Sequence, residues 1–211
     1  MKKLLLMGLI WMGCAAQAAP APAAPQAGKD YKVLENPQPV NAPAEKIEIL
    51  EFFMYGCPHC EHFEPVLTGW VKKQSPDIVL KHVPLAFNKA LAAHQKLYHA
   101  LDALGLADQL TPSIFKAIHT ERNYLLTPEA QAAFLAKKGV DKKKFLAAYH
   151  SFETANAVQR DNKWMADYKI TATPALIVQG KYETSPAMTN NLEDVISVLD
   201  FLMQQIRAEK M

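Results

Sequence analysis

A chain of 211 residues with 23 basic and 21 acidic side chains carries a formal charge of +2. That length accommodates one domain, or one domain with a sizeable insertion, and buries a core without disulfide staples. Loss of Lys2 and Lys3 with an N-terminal leader leaves 23 − 2 = 21 basic against 21 acidic residues. Such a balance lacks phosphate-neutralising charge and argues against nucleic acid as a partner.

Lys2-Lys3, the apolar run Leu4 to Ala16 and the small-x-small triplet Ala16-Gln17-Ala18 predict a secretory signal peptide over residues 1–18, cleaved before Ala19. The run is too short to cross a bilayer as a helix. Lipoprotein processing at Cys14 is the alternative: Gly13 permits it, and Trp11, where a Leu-like residue is expected, disfavours it. Residues 19–30 have repeated Pro and Ala and no apolar periodicity, as in a solvated linker or a frayed terminus. Export places the chain in an oxidising compartment. Apart from Cys14 it has only Cys57 and Cys60. A bridge across so short a loop adds little chain-entropy stabilisation, which leaves a reactive or metal-binding role as the better expectation.

Tyr31 to Leu34 is a candidate edge strand, closed by Asn36-Pro37. Ile47 to Phe53 is the first core strand, short, rich in Ile and Phe and bounded by Pro43 and Gly56, with Glu51 its polar exception. A helix from Cys57 to about Lys73 follows, with Phe63, Val66, Leu67 and Trp70 on one face and an interruption expected at Pro65. Ile78 to Val83 is a second core strand, so strand, helix and strand make a βαβ unit. From Asn88 to about Phe152 the signal is helical: one helix ends near Gly105, one spans Pro112 to His119, one starts at Thr127-Pro128, and one is capped by Asp141. A helix over roughly Ala155 to Asp167 leads to Thr173-Pro174 and the strand Ala175 to Val178. Gln179-Gly180 then turns into a hairpin partner, and a last helix is capped by Asn190 with Glu193.

Cys57-Pro58-His59-Cys60 lies where the first core strand hands over to a helix N-terminus. Free N–H groups and the positive end of the helix dipole stabilise a thiolate there, the reactive form in disulfide exchange. A CxxC beside a βαβ pattern reads as a thioredoxin-like redox motif. Cys57 should be the exposed nucleophile and Cys60, nearly a turn later, the shielded resolving thiol. Pro58 suits the first turn, and His59 adds a donor or positive charge. A metal site of Cys57, Cys60, His59 and His62 is disfavoured, because the spacing is too local for a good tetrahedron. Glu51 either points to solvent from a strand face or is buried near the dithiol, where it would assist proton transfer.

From Tyr31 to Arg207 the chain resembles the DsbA family of periplasmic thiol:disulfide oxidoreductases, through Leu50-Glu51-Phe52-Phe53, Cys57-Pro58-His59-Cys60, Thr173-Pro174 before an apolar strand, and Gly180-Lys181-Tyr182. The Pro-His dipeptide is its most specific element and resembles the strongly oxidising members. The resemblance implies an α/β, thioredoxin-like fold over residues 31–87 and 154–211, with an inserted α-helical domain over 88–153. It implies a cis Pro174 facing the disulfide, with Thr173 offering its backbone to substrate, and a buried Glu51 whose partner is Lys81 or His82. Thr173 departs from the Val of the best-known members, and its hydroxyl is expected to tune the potential and substrate release. The implied activity is oxidation of newly exported, reduced proteins by a monomer that needs no cofactor beyond its own disulfide and is reoxidised by a quinone-linked membrane protein of the DsbB type. An isomerase would usually carry a dimerisation module, and a reductase a less stabilised thiolate. The alternative outside redox chemistry is a chaperone-like groove around Phe87 and the helical block.

Overall fold

The structure is a computed structural model that describes residues 24–210. The expected leader, its cleavage site and Cys14 lie outside the described residues. Strand β2 (Ile47–Phe53) is buried along its whole length and forms the axis of a five-stranded mixed sheet. It pairs in parallel with β3 (Ile78–Pro84) through the crossover helix α1 (Pro58–Val71), and antiparallel with β4 (Ala175–Val178). β4 turns into β5 (Tyr182–Thr184), whose far edge takes the short β1 (Lys32–Val33), so the order across the sheet is β1-β5-β4-β2-β3. In the hairpin turn Gln179 and Gly180 have φ of 51° and 63°, the positive sense that primed turns need. A Cβ on Gly180 would lie 2.2 Å from the Gln38 carbonyl oxygen, so the position admits only glycine.

Side-chain alternation along β2 divides the core. Ile47 and Ile49 pack with Phe63, Leu67 and Trp70 of α1 and with α7 (Leu192–Lys210), whereas Leu50 and Phe52 pack on the opposite face with Tyr168 and Ile170. Each large apolar side chain fully buried this way contributes about 1.5–3 kcal/mol. Trp70 also donates its indole N–H to Asp200 at 2.9 Å, a link between α1 and α7 that the apolar stripe did not reveal. α1 runs on through Pro65 as one helix, with the proline on the exposed side.

Helices α2 (Ala92–Ala103), α3 (Ala107–His119), α4 (Pro128–Ala136) and α5 (Lys142–Tyr149) form a block of their own, joined to the sheet by α6 (Phe152–Asp167). Thr127, Asp141 and Ser151 each accept a backbone N–H at the start of a helix. α3 begins five residues before Pro112 (112 − 107 = 5) rather than at it, because Ala107 and Leu110 are buried upstream and carry the packed stripe through the proline. The cap of α7 is Asn191, whose side chain accepts from Asp194 N at 2.8 Å, one residue later than the expected Asn190 and Glu193 pair. α6 begins at Phe152, so a boundary between residues 153 and 154 falls inside its first turn.

Candidate active site

Phe53 ends β2, and the turn Met54-Tyr55-Gly56 delivers Cys57 to the start of α1, with Cys57 N bonded to Met54 O at 3.0 Å. Cys57 is itself the N-cap: its backbone is extended, and its Sγ accepts the N–H of Cys60 at 3.4 Å. Pro58 occupies the first helical position, where a missing N–H costs nothing. Both thiols are free and both are buried, Cys57 at 7 % and Cys60 at 1 % exposed, so the expected exposure of Cys57 does not hold. Hydrogen bonding from Cys60 is the main influence that lowers the Cys57 thiol from an ordinary 9.0 to about 5; burial opposes it, and Thr173 and the backbone N–H groups of Cys60 and His59 assist. Cys60 moves the other way. Burial raises it first, and the hydrogen bond and charge of Cys57, then the charge of Glu51, raise it further. The pair is thus split into a stabilised thiolate and a suppressed thiol.

Across from Cys57, the Thr173 carbonyl oxygen accepts the Cys57 thiol at 3.4 Å, and the Thr173–Pro174 bond is cis. Thr173 and Pro174 share a cleft of about 350 Å³ with His59, Ile170 and Met188. His59 is exposed, and its imidazole makes no hydrogen bond among the described residues; its influence on Cys57 comes through its backbone N–H.

Glu51 is buried, 1 % exposed, so the solvent-facing alternative does not hold. Parallel register sets Glu51 beside His82, and the His82 Nδ1 is hydrogen-bonded to the Glu51 carboxylate. Lys81 points to the other face, where it pairs with Glu48. Burial by itself would lower the His82 pKa, but the Glu51 hydrogen bond and charge, with Glu64 and Asp108, bring it up to about 9.

Three contributions to the site were not foreseen from sequence. Glu64 lies four residues after Cys60 on the buried face of α1, and burial together with the charge of Glu51 raises its carboxyl to about 7. Its place in the apolar stripe beside Phe63 and Leu67 was the available signal. The Tyr55 hydroxyl is bonded to Thr111 at 2.9 Å, and His119 Nε2 donates to the Tyr55 carbonyl at 2.8 Å. Both partners stand on α3, so the helical block holds the turn that presents Cys57.

A thiolate at a helix N-terminus, paired with a high-pKa thiol one turn on, can attack or be attacked as half of a disulfide. Fold and site together define a thioredoxin-fold thiol:disulfide oxidoreductase. The family model of the DSBA-like thioredoxin domain matches residues 48–197. The thiol:disulfide interchange protein DsbA of Burkholderia cepacia is 52% identical over 100% of both chains, and that of Pseudomonas aeruginosa 36% identical over 99% of this chain and 98% of its own. The crystal structure of Pseudomonas aeruginosa DsbA superposes with a TM-score of 0.84 at 37% identity, covering 88% of this chain and 96% of that one. Reduced DsbA1 from Neisseria meningitidis gives 0.79 at 34% identity, covering 89% and 98%. The chain belongs to the DsbA family. Thiol:disulfide interchange is its activity, and the expected fold, a thioredoxin-like sheet carrying an added helical block, is the one observed.

Proposed function

We propose that the chain works as a disulfide donor in the periplasm, passing the Cys57–Cys60 disulfide to reduced, newly exported proteins. The observation that carries the direction is the opposed acidity of the two thiols. A thiolate held near pKa 5 stabilises the reduced form of the pair, which makes its disulfide the stronger oxidant. A substrate thiolate attacks Cys57 Sγ, the Cys57–Cys60 bond breaks, and Cys60 leaves with the electron pair. Because the Cys60 thiol is pushed up by burial, its sulfur takes a proton as it leaves, and Glu51, with Glu64 and His82 around it, is the acid–base group. A second substrate thiolate then attacks the substrate sulfur of the mixed disulfide and releases Cys57 as a stable thiolate.

Pro58 and His59 shape the helix N-terminus that stabilises this leaving group. Thr173 and Pro174 border the cleft in which the substrate backbone is read as an added strand. The dithiol itself carries the redox change, with no further cofactor. A quinone-linked membrane protein of the DsbB type reoxidises it, and the chain acts as a monomer, freed by cleavage after Ala18 or anchored through Cys14. Its domain division is a thioredoxin-like unit over residues 31–87 and 154–211 interrupted by a helical unit over 88–153, with the second boundary drawn back to the start of α6 at Phe152.

Equilibration of the purified protein with glutathione redox buffers tests the direction. A potential well above that of thioredoxin is expected, and a value near thioredoxin's would overturn the donor reading. A cysteine-free unfolded client separates this activity from a chaperone-like groove, since only a binding module would act on it.

A further inference from the structure

Glu64 is 8 % exposed, and its carboxylate makes no hydrogen bond or ion pair among the described residues. A buried carboxylate without a partner is costly once ionised. Its oxygen is directed at two other groups with ligand atoms: one atom each from Glu51, Glu64 and His82 lie within 4.8 Å of one another. The three side chains come from β2, α1 and β3, rigid elements that fix their spacing. We propose that Glu51, Glu64 and His82 form a binding site for one divalent transition-metal ion, with zinc the best match.

Two carboxylates and an imidazole suit zinc, whereas magnesium and calcium select oxygen ligands alone. With metal–ligand bonds of about 2.0–2.2 Å, neighbouring donors on a tetrahedral zinc stand about 3.4 Å apart, so side-chain rotation within the present spacing suffices. The ion displaces the proton shared by Glu51 and His82, and its double charge compensates both carboxylates. Glu64 and His82 also line a cavity of about 770 Å³ with Thr68, Lys72, Tyr98 and Asp108, which supplies both the path in and room for a water as fourth ligand. Zinc here would occupy Glu51 and Glu64 as acid–base groups; that consequence rests on the proposed function, while binding itself does not.

Calorimetric titration of zinc chloride into the oxidised chain from Ala19 onward, which lacks Cys14, tests the site, because the Cys57–Cys60 disulfide then leaves no thiol as a ligand. One ion per chain is expected. Glu64→Gln should weaken it by about 10-fold or more, while Asp108→Asn, which alters a cavity carboxylate outside the trio, should leave it nearly unchanged. X-ray absorption of the zinc-loaded, unaltered protein should show imidazole and oxygen ligands without sulfur, and it decides the matter should Glu64→Gln fail to fold. Absence of binding to the oxidised protein, full affinity in Glu64→Gln, an equal loss in Asp108→Asn, or sulfur in the coordination shell would each overturn the proposal.

Discussion

The Cys57 thiol lies 3.4 Å from the carbonyl oxygen of Thr173, 116 residues further along the chain. This contact closes the site. It brings the loop before β4 against the N-terminus of α1, so Thr173 and Pro174 border the approach to Cys57. Thr173 also lowers the Cys57 pKa through a side-chain hydrogen bond. Thr173→Val removes the hydroxyl and keeps the shape. It should raise the Cys57 pKa by up to about one pH unit and make the disulfide less oxidising, read from thiolate ultraviolet absorbance against pH. If the titration is unchanged, the hydroxyl has no tuning role.

Reactivity should divide between the two cysteines as their acidity does. Alkylation of the reduced protein is expected to follow a titration centred near pH 5 and to modify Cys57 only. Cys57→Ser should abolish turnover, whereas Cys60→Ser should let Cys57 capture substrates and hold them as mixed disulfides, visible on non-reducing gels. Oxidase activity retained in Cys57→Ser would contradict the mechanism.

Glu64 should impose a pH-dependent stability of a definite sign. Its folded pKa of about 7 lies above the ordinary 4.5, so its contribution is fully present below 4.5 and is lost as pH rises through 7. Glu64→Gln mimics the protonated form. It is expected to match the unaltered protein near pH 4 and to exceed it by up to about 3 kcal/mol at pH 8, measured by urea denaturation of the oxidised protein with chelator present. Equal stabilities at pH 8 would show that the carboxylate is not strained by burial.

The Glu51–His82 pair runs on a different window. The His82 pKa is raised from 6.5 to about 9, so its stabilisation is complete below pH 6.5 and disappears as pH rises through 9. His82→Gln leaves Glu51 buried without a cation and should cost about 3–5 kcal/mol at pH 6, with a smaller difference at pH 10. A uniform loss at both pH values would point to packing in place of charge.

Much of the fold is legible along the chain because its signals are local. The apolar run of β2, the turn at Gln179-Gly180 and the caps Thr127 and Asp141 each act within a few residues of the element they define. The misplaced starts of α3 and α7 have the opposite origin. Pro112 and Asn190 are plausible starts by local chemistry, and burial of Ala107 and Leu110, with the Asn191 cap, decides otherwise.

The dithiol is readable from local signals alone: two cysteines three residues apart, behind a core strand and at a helix N-terminus, in a chain with no other cysteine after Cys14. Its surroundings come from contacts between segments far apart in the chain. Whether Glu51 meets Lys81 or His82 depends on a parallel register, and shifting that register by one residue exchanges the faces of every side chain. Glu64 belongs to the site because α1 carries it, four residues after Cys60, to within 4.8 Å of Glu51 and His82, and Tyr55 because α3 of the helical block binds it. Local sequence chooses which groups can react. Their acidity is set by burial and by charges brought from distant strands, since both act through space.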